Sequence, residues 1–151
     1  MRLALFDFDG TISDADSFRG FIIFYCGYSK FILGSIILSP IYLLYVLGLI
    51  KNNFMKEMAI SFYFKNESIT NLWNKGKQYS DNEIDKIVRD KAREKIKWHQ
   101  SQGDKVIIVS ASANIWLDSW CSHNDIELIA TELEEIDGKI TGKLVNGNCF
   151  G

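Results

Sequence analysis

Proline, histidine and cysteine are scarce in this 151-residue chain, with one, two and three residues respectively. The cysteines, Cys26, Cys121 and Cys149, are far apart and odd in number, which excludes a CxxC metal pair and a disulfide framework. They read as reduced structural thiols of a cytosolic protein. His99 and His123 are isolated, at or near helix ends, and read as surface residues rather than metal ligands. Charge of either sign is not concentrated anywhere, and the net charge is −2. That excludes a nucleic-acid footprint and a solvated acidic tail. Internal repeats and low-complexity tracts are absent. The opening MRLALFDFDG lacks the apolar length and the cleavage site of a signal peptide, so the chain is expected to begin directly with a structural element.

What is present suits one compact domain with a small subdomain. Residues 2–8 are apolar almost throughout and predict a parallel strand buried on both faces. Lys105-Val106-Ile107-Ile108-Val109 predicts a second, β-branched strand. The stretch between them reads as helical. Its clearest helix is expected from about Ser80 to Gln100, with Ser80 and Glu83 as a capping box and Ile84, Ile87, Val88 and Ile96 on the buried side. A further helix is expected over 114–123, burying Ile115, Trp116, Trp120 and Cys121. A short strand over 126–130 follows, then a hairpin turning at Asp137-Gly138. This order predicts an α/β fold with a parallel sheet, whose ligands gather beyond the carboxyl ends of the strands.

Residues 31–50 carry no charge and are bracketed by Lys30 and Lys51, with the single proline, Pro40, at the centre. Two readings fit. One is a pair of short core helices meeting near Pro40. The other is a membrane-embedded or interfacial segment, since a helix of that length spans roughly 30 Å.

The chemistry is expected at Phe6-Asp7-Phe8-Asp9-Gly10-Thr11. A lone Asp-Gly pair is commonly just an acidic turn, but two acids directly after an apolar strand are more specific. At the end of a buried strand Asp7 is a candidate nucleophile, with Phe6 and Phe8 keeping water away. Asp9, two residues on, would point the same way and serve as acid and base. Two carboxylates so close call for a hard cation such as Mg²⁺. Gly10 permits a sharp turn, and the amides after it can face a phosphate. Ser110, at the end of the second strand, is placed to bind a phosphoryl oxygen. Asp14 and Asp16 read as caps of the next helix, or as lining the entrance to the site. Arg19 is the nearest cation.

FDFDGT at 6–11 and IIVSAS at 107–112 resemble motifs I and II of the haloacid dehalogenase-like (HAD) hydrolases. The helical insert resembles the cap of subfamily IB, the phosphoserine phosphatases. Asp16-Ser17-Phe18, the apolar stretch and Leu49-Ile50-Lys51 resemble the IB hydrolases that include phosphatidylglycerophosphatase C. The resemblance implies a Rossmann-like core of residues 1–13 and 99–151 around a helical cap of residues 14–98. It implies a Mg²⁺-dependent phosphatase acting on a small-molecule or lipid phosphomonoester, cytoplasmic or at the inner face of the membrane. By it Asp7 is the nucleophile and a Mg²⁺ ligand, and Asp9 is the acid and base, with its carbonyl also on Mg²⁺. Gly10, Thr11, Ser110 and Ala111 would bind the phosphate. TELEEIDGKITGKLVNGNCFG resembles the approach to motif III. The lysine of motif III and the acids of motif IV are then expected beyond Gly151, with the last part of the core. The other expectation is a catalytically inactive, membrane-associated binding module.

Overall fold

The computed structural model describes residues 2–147. Cys149 and the rest of the NCFG segment, residues 148–151, lie outside the described residues. Strand β1 (Leu3–Phe6) pairs in parallel with β2 (Lys105–Ala113), setting Leu3 opposite Lys105 and Phe6 opposite Ile108. β2 pairs in parallel with β3 (Glu127–Ile136), which turns back antiparallel into β4 (Lys139–Val145), so the order is β1-β2-β3-β4. The β3–β4 turn is the expected one, with Asp137 and Gly138 both at positive φ, 51° and 75°.

Burial on both faces of β1 is not what the structure has. Ala4 is buried, while Leu3 and Leu5 point to the other face and are exposed. Period-two alternation sends them together to a side that no described element covers.

Between β1 and β2 the chain builds helices. Asp16 caps α1 (Ser17–Val46), its side chain accepting from the Arg19 amide at 2.7 Å as the sequence suggests. Helix α1 is two limbs, because Gly27 (φ 81°, ψ 166°) breaks it in a conformation that essentially only glycine adopts. The two-helix reading of 31–50 therefore has its break misplaced: the chain is helical through Pro40. Ser39 explains how. A residue other than proline at position 40 would donate to the Ile36 carbonyl, and the Ser39 hydroxyl donates there instead at 2.7 Å.

Helix α2 (Asn52–Phe64) packs on the second limb, and α3 (Ile69–Tyr79) follows. The expected helix from Ser80 does not start at Ser80. Its backbone is already helical (φ −56°, ψ −48°), continuing α3, and its buried hydroxyl accepts from the Trp120 amide at 2.8 Å instead of capping. The real break is at Val88 and Arg89, both extended, before α4 (Asp90–Ser101). Tertiary pairing decides this. Asp14 N–H donates to the Ile87 carbonyl and Arg89 N–H to the Ile12 carbonyl, each at 2.9 Å, so the outgoing and returning chains are stitched together.

Helix α5 (Asn114–His123) connects β2 to β3 and buries Ile115, Trp116, Leu117, Trp120 and Cys121. The centre of the core is aromatic. Phe21 of α1 stacks on Trp116 with centroids 4.9 Å apart, and Phe8, Phe64 and Leu72 are fully enclosed around them. The hairpin also grips the helices. Asn66 N–H donates to the Ile140 carbonyl, Ile140 N–H to that of Glu67, and Ile69 N–H to that of Gly138. Gly142 (φ 96°) lies so close to α2 that a Cβ would sit 2.0 Å from the Ser61 hydroxyl.

Candidate active site

Strand β1 stops at Phe6, and the chain turns over Phe8–Ile12 with Gly10 at φ 80°. Asp7 and Asp9 therefore do not share the direction that a continuing strand would give them. Asp7 is exposed, and the expectation that Phe6 and Phe8 exclude water from it fails, since Phe8 turns inward to the core. The Thr11 hydroxyl reaches Asp7 Oδ2 at 3.5 Å, and both Thr11 and Gly10 are exposed at the surface of the turn.

Asp9 turns back into the protein. Its Oδ1 accepts from the Ser17 amide at 2.7 Å, and its Oδ2 accepts from the hydroxyls of Ser112 at 2.5 Å and Ser17 at 3.2 Å. Those two hydroxyls are 2.9 Å apart, and the Trp116 indole N–H donates to Ser17 Oγ at 3.2 Å. Trp116 is itself held between the rings of Phe18 and Phe21. Burial raises the Asp9 carboxyl above its ordinary pKa, against the hydrogen bonds from Ser112 and Ser17, which favour the charged form; the charge on Asp16 adds a smaller upward push.

Ser110 is 1% exposed and belongs to β2, which runs on past it to Ala113 through an irregularity in the pairing with β3. Its hydroxyl accepts from the Ser112 amide at 3.1 Å. The Ala111 carbonyl accepts from Thr131 Oγ1 at 2.9 Å and from the Lys56 ammonium of α2. The turn after β1 and the end of β2 thus meet through Asp9 and Ser112.

Ser17, Ser112, Trp116 and Lys56 are site residues that the sequence reading did not select. Ser112 had a signal, since residues two apart on a strand share a face with Ser110. Lys56 had none, because only folding brings α2 over Ala111.

Mg²⁺ would find oxygen donors of the right hardness here. The exposed Asp7 carboxylate suits an ion that commonly takes one or two carboxylates together with substrate oxygens. No group of three or more His, Cys, Asp or Glu side chains is placed to hold a metal ion among the described residues.

The chain resembles known proteins over nearly its whole length. The chain is 27% identical over 149 residues to Protein CicA of Caulobacter vibrioides (strain NA1000 / CB15N), covering 97% of this chain and 66% of that protein. It thus spans just under two thirds of that relative's length. A protein of unknown function from Bordetella pertussis Tohama I has the same fold, with a TM-score of 0.80 at 21% identity over 99% of this chain and 68% of that one. A phosphoserine phosphatase solved as a phospho-aspartyl intermediate analogue gives a TM-score of 0.60 at 22% identity, over 95% of this chain and 62% of that one. These likenesses establish the HAD-like α/β fold expected from the sequence. The model of the haloacid dehalogenase-like hydrolases matches residues 4–151, and the chain belongs to that family.

Proposed function

We propose that the protein is a Mg²⁺-dependent phosphatase that hydrolyses a small-molecule or lipid phosphomonoester through an aspartyl-phosphate on Asp7. The observation that carries this is the contrast between two acids two residues apart. Asp7 is exposed at the strand end, and Asp9 is enclosed by Ser17 and Ser112 with its pKa raised. A nucleophile must be ionised and reachable, while a general acid must hold a proton until the leaving group needs it. The solved phosphatase named for a phospho-aspartyl intermediate analogue supports the same chemistry by analogy of fold.

In this mechanism an Asp7 oxygen attacks phosphorus and the ester P–O bond breaks. Asp9 gives its proton to the departing oxygen. Asp9 then takes a proton from water as that water attacks phosphorus, releasing phosphate and restoring Asp7. Gly10, Thr11, Ser110 and Ala111 would hold the phosphoryl oxygens, with Ser112 and Ser17 positioning Asp9. Mg²⁺, held by the Asp7 carboxylate and the Asp9 carbonyl, would supply positive charge against the phosphate. The helical insertion, residues 14–98, would act as the cap that excludes water and selects the ester. The two described cysteines are unpaired thiols, in keeping with a cytoplasmic enzyme. Residues 31–50 would be its contact with the inner face of the membrane.

The test is hydrolysis of an aryl phosphate by the full-length protein. Turnover is expected with Mg²⁺, to be lost on chelation, and to fall by about 10³-fold or more in Asp7→Asn with the melting temperature unchanged. No turnover by the folded full-length protein, or equal turnover by Asp7→Asn, overturns the proposal and favours an inactive binding module.

A further inference from the structure

The second limb of α1, residues 28–46, has two opposite faces. Gly34 and Leu38 are buried against α2, where Tyr63 donates to the Phe31 carbonyl at 3.1 Å. The other face presents Ile32, Leu33, Ile36, Ile37, Leu43 and Leu44, a stripe at i, i+1, i+4, i+5, i+11 and i+12, and all six side chains are exposed. Ile36 is 65% exposed and Ile37 50%. Leu47, Leu49 and Phe54 extend the surface beyond the helix end. So continuous an apolar surface marks an interaction site.

Two features say what covers it. The first is hydrogen bonding. A protein partner normally brings about one hydrogen bond per 100–200 Å², yet the serines beside the stripe have turned inward. The Ser35 hydroxyl donates to the Phe31 carbonyl at 2.9 Å, and that of Ser39 to the Ile36 carbonyl left open by Pro40. A helix with its polar groups satisfied internally is suited to hydrocarbon. The second is charge. No Asp or Glu occurs between Asp16 and Glu57, whereas Arg19, Lys30, Lys51 and Lys56 do, in a chain with 19 acids. Lys30 and Lys51 bracket the apolar run, and Tyr42, 56% exposed, is of the amphipathic type found at the headgroup level.

We infer that this limb lies flat on an anionic bilayer, with the Ile32–Leu44 stripe among the acyl chains and Lys30 and Lys51 among the headgroups. The inference deepens the membrane contact proposed above and is independent of the chemistry at Asp7. By length and composition α1 is capable of crossing a membrane. Its packing argues for lying in the interface, since a crossing would carry the inner face, and α2 with Lys56, Glu57 and Lys65, into hydrocarbon.

Vesicle flotation of the full-length protein tests this. Co-flotation is expected with vesicles of phosphatidylcholine containing phosphatidylglycerol, about tenfold weaker with phosphatidylcholine alone, and reversed by alkaline carbonate. Ile36→Asp/Ile37→Asp should lose flotation by more than tenfold while keeping its melting temperature and its hydrolysis of a soluble aryl phosphate. If that variant does not fold, Lys30→Glu/Lys51→Glu, which leaves the stripe intact, should lose the preference for anionic vesicles. Absence of flotation by the folded protein overturns the inference. Resistance to carbonate overturns the flat seating in favour of a span. A dimer that Ile36→Asp dissociates, with no flotation, assigns the face to a second copy and overturns it too. Loss of aryl phosphate hydrolysis in Asp7→Asn with flotation intact separates this surface from the catalytic reading.

Discussion

Before Gly27, α1 buries Phe21 and Ile22 in the aromatic core and holds Asp9 through Ser17; after it, a limb of the same apolar character leaves most of its side chains exposed. The difference lies in what each limb meets. The first meets Trp116, Phe64 and Tyr79, and the second packs on α2 along one edge. Apolar residues are a necessary condition for burial, and a facing surface is the other half.

Substitutions on the two limbs should separate them sharply. Phe21→Ala empties a fully enclosed site and is expected to lower stability by about 3–5 kcal/mol in denaturant titration. An effect below 1 kcal/mol would mean that the first limb is no better packed than the second. Gly27→Ala attacks the break itself. A Cβ there meets no neighbour within 4 Å, so the cost of about 1–3 kcal/mol comes from the backbone alone.

Asp9→Asn should act in the opposite direction. Burial raises the Asp9 carboxyl pKa in the folded chain, so the folded chain holds that proton more tightly than the unfolded chain does. The stability this group contributes is full below its unfolded pKa and is lost as pH rises through its folded value. The variant, with no such charge to bury, should gain melting temperature over the parent as pH rises from acid to neutral, while losing activity. A difference independent of pH would show that the carboxyl is not perturbed. Ile36→Ala is the smallest, with a change in stability within about 0.5 kcal/mol.

Several elements were legible because local rules and tertiary demands agreed. The turn after β1, the helix over Asn114–His123 and the Asp137-Gly138 turn each carry a local signal that the fold uses, whereas β2 runs past Ser110, where a strand end was expected, to Ala113. Ser80 shows the opposite case. A capping box is a local offer, and burial beneath the Trp120 amide was worth more. The break at Val88 was invisible for a similar reason, since its cause is the Ser13 segment, far away in sequence. Pro40 misled because its neighbour Ser39 supplies the missing donor. The pairing of Asp9 with Ser112 joins residues 103 apart, and no periodicity reports such a contact.

The attachment of the insertion has a mechanical side. The helices leave and return to the sheet through one stitched pair of crossings, at 12–14 and 87–89, and such a joint alone would let them swing. The hairpin adds a second fastening at 66–69, and Gly142 wedges it against Ser61. The bonds from Ser17 to Asp9, from the Trp120 amide to Ser80 and from Lys56 to the Ala111 carbonyl tie the helices further, so moving them as a body would break these as well as the three backbone bonds to Gly138 and Ile140. The hairpin is therefore a brace on the helices as well as a part of the sheet, and a change at β4 reaches both.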